Sequence, residues 1–313
     1  MNFSVHNSSE ILPTERLKDL FNTPDEKAAV RVMCRQILAS LNLSSAPIPL
    51  KPICQKFNLK VNYNSVSKKE DSFLKLAPNG FEIEISKQKN WRRNRFTIAH
   101  ELSHLIIFNA INTPINSFDR KQHDEIEKLC DIGASELLIN ETELAKNLRE
   151  YGLNREGLKI LYDKFMVSYD ALFLKLAEFL NANILIWRNH ARHENEKREY
   201  RVYRHFPKYK FAAKSTWLPN GCTVKHIAPI PFDNFERTTL IDNFKILMND
   251  KTTNCQSLTF LFPHSRVSKN NLPIFDDLTV TDESTYDDCF VMFIFNDKNK
   301  FEKIKTNYFK NDN

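Results

Sequence analysis

The stretch RFTIAHELSHLI constrains this chain more than any other. It holds His100-Glu101-x-x-His104 among Phe96, Ile98, Ala99, Leu102, Leu105 and Ile106. Apolar residues on all sides of the motif predict a buried helix from Arg95 to Phe108. On a helix, positions i and i+4 share a face, so both imidazoles can reach one ion. Placing two imidazoles and a carboxylate in such a helix is costly unless a metal or strong partners neutralise them. With nine histidines in 313 residues, the pattern is expected by chance far less than once. The chain must therefore close around a helix built to hold a metal. Glu101, next to His100, can take a proton from the water that such a metal activates.

A catalytic zinc site with one open position uses three protein ligands. The metzincin pattern would place a glycine three residues after His104 and a histidine six after it; Ile107 and Ala110 stand there instead. The following helix, DEIEKLCDIGASELL, offers carboxylates. Glu127 and Asp131 lie four apart on one face, which suits a ligand and an acid that accepts the far N–H of a ligand histidine. His123, Asp124 and Glu125 are rivals at the helix start, where they equally serve as caps and dipole partners. Cys130 is a further candidate donor, with a packed core thiol as the alternative.

Glycine usage removes other chemistry. The five glycines stand at 80, 133, 152, 157 and 221, so no two share a phosphate-cradling loop, and neither a Walker A nor a dinucleotide fingerprint exists. The six cysteines are scattered without a C-x-x-C pair, which argues against thiolate zinc fingers and a disulfide framework. The first residues lack the apolar core of a signal peptide, and no apolar run is long enough to span a membrane. The expectation is a soluble, cytoplasmic protein of two or three domains at about 150 residues each.

The matching stretches PIPLKPICQKFNLKV, FEIEISKQKNWRRNRFTIAHELSHLI and EIEKLCDIGASELLIN, in this order and spacing, resemble the ImmA/IrrE family of zinc-peptidase-like proteins over roughly residues 45–140. The resemblance implies an α+β, zincin-like metallopeptidase domain. Carried over by position, it implies His100, His104 and Glu127 as metal ligands, Glu101 as general base, and Asp131 where the family commonly has Asn or Asp. It also implies zinc, with manganese open, and a helix-turn-helix repressor or antitoxin as substrate in a stress or mobile-element response. The chain departs from the family at Ser103 (usually glycine), Phe108 (often histidine), Cys130 (usually alanine) and Asn140 (usually proline). Ser103 is the departure expected to narrow or repolarise the cleft.

The expected domains are 1–145 (peptidase), 146–185 (a helix-turn-helix-like helical segment) and 186–313 (a C-terminal α+β sensing or partner-binding domain, where some relatives carry a GAF-like domain). In the helical segment, Ser168 is the expected N-cap of a helix from Tyr169 to Leu180. Its one cation, Lys175, is too little for reading DNA. Residues 188–214 carry nine Lys/Arg against three Glu, interleaved with aromatics. They could contact nucleic acid or an acidic partner, or form a solvated hairpin. The basic run 87–95 could line the cleft entrance, His190, His193 and His205 are weak candidates for a second metal, and Trp91, Trp187 and Trp217 read as packing residues. Two rival functions stay open: a nucleic-acid-binding regulator with a structural metal, and a toxin–antitoxin or phage-defence component acting by partner binding.

Overall fold

The computed structural model describes residues 15–64, 72–86, 91–112, 120–189, 200–206, 239–248, 251–266, 284–295 and 297–310. They divide into two compact units, one ending at Asn140 and one starting at Glu141.

The first unit contains α1 (Glu15–Leu20), α2 (Glu26–Ser40), α3 (Leu50–Lys56), β1 (Leu59–Asn64), β2 (Ser72–Ala77), β3 (Gly80–Ser86), α4 (Trp91–Ile111) and α5 (Arg120–Leu138). Asp25 caps α2 by accepting the Ala28 N–H at 2.7 Å, and Ala29, Val30, Met33, Cys34 and Leu38 form its buried stripe. The three strands form a sheet in the order β1-β3-β2, with β1 parallel and β2 antiparallel to β3. β3 alternates as a half-buried strand should. Ile83 and Ile85 are buried, while Glu84 accepts from Lys75 on β2 at 2.7 Å. The turn into β3 requires glycine: Gly80 has φ +136°, and a Cβ there would collide with the Asn58 backbone.

The helix α4 packs on β3 and along α5. It is buried on several faces at once, from Trp91 and Asn94 through Ile98, Ala99, Leu102, Ser103 and Leu105 to Ile111. This is why its sequence is apolar around the motif and not striped. At the α4–α5 crossing, a Cβ on Gly133 would lie 2.5 Å from Ser103 Oγ and 2.8 Å from its Cβ, so the small residue sets how closely the two helices approach. The Cys34 thiol donates to the Gly133 carbonyl at 3.6 Å. Fully buried Glu136 accepts from Arg35 Nε at 2.7 Å, which ties α5 to α2.

The second unit contains α6 (Glu141–Tyr151), α7 (Arg155–Phe165), α8 (Tyr169–Leu180), β4 (Asn183–Asn189), β5 (Tyr200–Phe206), β6 (Thr239–Met248), β7 (Lys251–Arg266), β8 (Ser284–Phe295) and α9 (Lys298–Tyr308). The strands form an antiparallel sheet in the order β5-β4-β8-β7-β6. Ser168 caps α8 by accepting the Ala171 N–H at 3.2 Å, after Met166 turns the chain in the left-handed region at φ 55°. The helices and sheet of this unit share one core. Phe173 of α8 meets Phe293 of β8 edge-on at 6.3 Å, and Phe295 meets Phe301 of α9 at 5.3 Å. Lys175, 2% exposed, lies in this core with its Nζ 3.3 Å from Glu141 and 3.7 Å from Glu178. Its charge is spent inside the unit, so it offers nothing to a nucleic-acid backbone.

His190, His193, Trp217, Lys87 and residues 190–199 and 207–214 lie outside the described residues, so of the second-metal candidates only His205 is placed, as a residue of β5, and the basic stretch only in part. Among the described residues, no helix is long and apolar enough to cross a membrane.

Candidate metal centre

Two helices supply the site. α4 presents His100 and His104 one turn apart, and α5 presents Glu127 and Asp131 one turn apart. The close crossing at Ser103 and Gly133 brings these pairs face to face. His100 Nε2 lies 3.0 Å from Glu127 Oε2, and His104 Nε2 lies 3.2 Å from Glu127 Oε1. Each of the three residues offers a ligand atom within 4.8 Å of the others.

This arrangement can be tested against a metal. Ligand bonds of about 2.0–2.1 Å at a tetrahedral angle put neighbouring donor atoms about 3.3 Å apart. The nitrogen-to-oxygen separations here, 3.0 and 3.2 Å, already match that spacing. Two imidazole nitrogens and a carboxylate oxygen also suit zinc and its neighbours in the first transition row. The donor set fits one divalent ion.

The surroundings of the two imidazoles differ. His100 Nδ1 lies 3.0 Å from Asp131 Oδ1. With Nε2 turned to Glu127, this partner assigns the Nδ1 proton and orients the ring. Burial alone would lower the basicity of His100, but the hydrogen bonds to Asp131 and Glu127 outweigh it and raise its pKa to about 9. The same contacts, His100 foremost and His104 second, hold the Glu127 carboxyl far below the usual carboxylate range. In the absence of a metal, a proton on His100 thus balances the charge that an ion would otherwise balance.

Glu101 is 9% exposed and follows His100 directly on α4. Of the rivals at the start of α5, His123 alone approaches the group: its Nδ1 is 3.6 Å from Glu127 Oε1, on a side chain 63% exposed. Asp124 is exposed and Glu125 half-buried, and the His/Cys/Asp/Glu group found among the described residues contains neither. α5 begins at Arg120, four residues before the expected start, so all three sit within its opening turns. Cys130 is fully buried. Burial first, then the charges of Glu127, Glu101 and Asp131, push its thiol well above the ordinary value, so it packs as a neutral thiol and stands outside the donor group.

Ser103 corrects an expectation. It neither narrows nor repolarises a cleft: it is fully buried, donates to the Ala99 carbonyl at 2.8 Å, and faces Gly133. Its influence runs through the spacing of the helices. Sequence reasoning also gave Phe108 no role, although its ring stacks on His104 at 5.6 Å and 21°. The i, i+4 spacing of the two rings was the signal available.

A histidine pair on one helix, within an H-E-x-x-H sequence, and a carboxylate on the next form a group that could hold a metal ion. Residues 54–177 match the family model described as the IrrE N-terminal-like domain, a peptidase family. This stretch of the chain is therefore similar to the ImmA/IrrE family of metallopeptidases. A curated relative, the radiation response metalloprotease IrrE of Deinococcus deserti, is 30% identical over 105 residues, which cover 32% of this chain and 37% of that protein. The chain thus spans little more than a third of the length of this relative. A solved structure of a Mycobacterium tuberculosis transcriptional regulator superimposes with a TM-score of 0.49 at 11% identity, over 91% of this chain and 81% of that one; so loose a likeness defines no fold.

Proposed function

We propose that the protein is a zinc-dependent, site-specific metalloendopeptidase that cleaves a regulatory protein, a helix-turn-helix repressor or an antitoxin, in a stress or mobile-element response. The observation that carries the reading is the convergence of two imidazole Nε2 atoms on the Glu127 carboxylate, 3.0 and 3.2 Å away, with Glu101 buried on the same helix. His100, His104 and Glu127 would hold the ion, with manganese as an alternative to zinc. Bound there, it would supply a Lewis acid that polarises a peptide carbonyl and lowers the pKa of water.

The chain's own groups do the rest. Asp131 holds the Nδ1 proton of His100 and fixes that ring. The Glu101 carboxylate takes a proton from the attacking water as the new C–O bond forms. It returns that proton to the departing amine nitrogen as the C–N bond breaks. The relative's printed name, a metalloprotease of the radiation response, supports a regulatory role. Work in a reducing cytoplasm suits the free, buried Cys34, Cys54 and Cys130, and the antiparallel sheet of the second unit suits a sensing or partner-holding module.

The test is incubation of the zinc-loaded protein with the repressor-like protein encoded beside it. The reading predicts one discrete shorter product, and Glu101→Gln should keep the metal but lose cleavage by about 10²–10⁴-fold. An uncut partner that co-purifies with the zinc-loaded protein would favour binding as the function instead.

A further inference from the structure

The two metal-facing imidazoles are held by different means. His100 has a carboxylate on its far nitrogen, Asp131 Oδ1 at 3.0 Å from Nδ1. His104 has none. Its Nδ1 is buried without a hydrogen-bond partner among the described residues, and the residue is 7% exposed. In the metal-free protein the Glu127 carboxylate accepts from Nε2; once Nε2 is given to an ion the neutral ring would carry its proton on Nδ1, where no hydrogen bond fixes the tilt of the ring. Two aromatic faces do so instead. Phe108, one turn further along α4 and half-buried, lies nearly parallel to the His104 ring at 21° with centroids 5.6 Å apart. His100 abuts the same ring edge-on at 5.0 Å and 72°.

We infer that Phe108 is a positioning residue for the ligand His104, setting by ring stacking the orientation that Asp131 sets for His100 by a hydrogen bond. The inference rests on the metal-site reading above. A ligand ring free to rotate about its Cβ–Cγ bond must be immobilised when the ion binds, and this weakens binding. A stacked neighbour removes that freedom beforehand. Its size follows from two general scales: aromatic pairs of this geometry, and outer partners of metal-ligating histidines, where loss costs 10–100-fold in affinity. Stacking holds less tightly than a charge-assisted hydrogen bond, so the lower end of that range applies. His104 is accordingly the more weakly oriented of the two imidazoles, and the site is asymmetric by construction.

The test uses the full chain stripped of metal and titrated with cobalt(II), read by visible absorption, and with zinc in competition with a chromophoric chelator. Phe108→Leu keeps an apolar side chain without a ring face. It should bind both ions about tenfold more weakly and alter the cobalt spectrum, while the metal-free variant melts with the wild type. Phe108→Met carries the same expectation should the leucine variant fold poorly, since methionine adapts to irregular packing. Phe108→Tyr retains the ring face and should restore wild-type affinity. Equal affinity and spectrum in Leu, Met and wild type would overturn the inference, as would equal losses in all three variants, Tyr included. Both results leave the peptidase reading standing. Failure of the wild type itself to take up cobalt or zinc would instead bring down both.

Discussion

Two charged clusters of this protein, the one at Lys175 in the second unit and the one between α4 and α5 in the first, are settled in opposite ways. In the second, the ammonium of Lys175 sits inside the core with Glu141 and Glu178 at 3.3 and 3.7 Å; cation and anions come from the same chain. In the first, the Glu127 carboxylate meets two imidazoles, which carry no charge of their own until a proton or an ion arrives. A buried pair completed within the chain is a structural element. A half-buried donor set that converges between two helices could hold an ion. Both are paid-up solutions to the same desolvation problem, and only the second leaves a role for something from solution.

The comparison can be broken at either end. The largest effect is expected at the site: His104→Ala or Glu127→Ala should abolish stoichiometric metal binding, whereas Lys175→Ala should leave it intact, as metal content per chain after desalting will report. Lys175→Ala should act on stability instead. Removing a nearly fully buried side chain and its charge should cost about 2–4 kcal/mol, read by denaturant unfolding. Gly133→Ala comes next. The added methyl meets Ser103 Oγ and Cβ at 2.5 and 2.8 Å, and overpacking of this kind costs about 1–3 kcal/mol. The variant should also weaken metal binding by forcing α5 away from α4, and Ser103→Gly should rescue both losses in the double variant.

The smallest effect is one of pH. In the metal-free protein His100 titrates near 9, above its ordinary value of about 6.5. A raised folded-state pKa adds stability that is complete below about 6.5 and lost as pH rises through about 9. The chelated protein should therefore melt at progressively lower temperature across this window. Metal uptake at pH 7.5 should release a proton, measurable as a buffer-dependent enthalpy in calorimetry.

Much of the first unit was legible before any coordinates. The i, i+4 pairs His100/His104 and Glu127/Asp131 are local facts of helix geometry, and the hairpin around Gly80 announces itself by its Pro-Asn-Gly turn. The pairing of β1 with β3 in parallel, Leu59 opposite Phe81, was not legible, because no local pattern encodes the register of strands so far apart in the chain. The placement of Ser103 failed for a related reason: on a helix buried on several faces, the apolar pattern does not say which face meets which neighbour. In the second unit, α9 is hard to read from sequence, although Asp297 accepts the Lys300 N–H at 3.1 Å and Phe301 and Ile304 are buried. Its sequence is so rich in lysine that the short apolar stripe is masked. β6 is similarly faint, since its apolar run, Ile246-Leu247-Met248, gives no clear alternation of period two.

The central claim concerns one ion between α4 and α5, and X-ray absorption at the zinc edge of the loaded protein addresses it most directly. The account predicts a single zinc per chain with two imidazole nitrogens and oxygen donors at about 2.0–2.1 Å, and loss of that signature in Glu127→Ala. A zinc shell containing sulfur, or one unchanged when Glu127 is replaced, would contradict it.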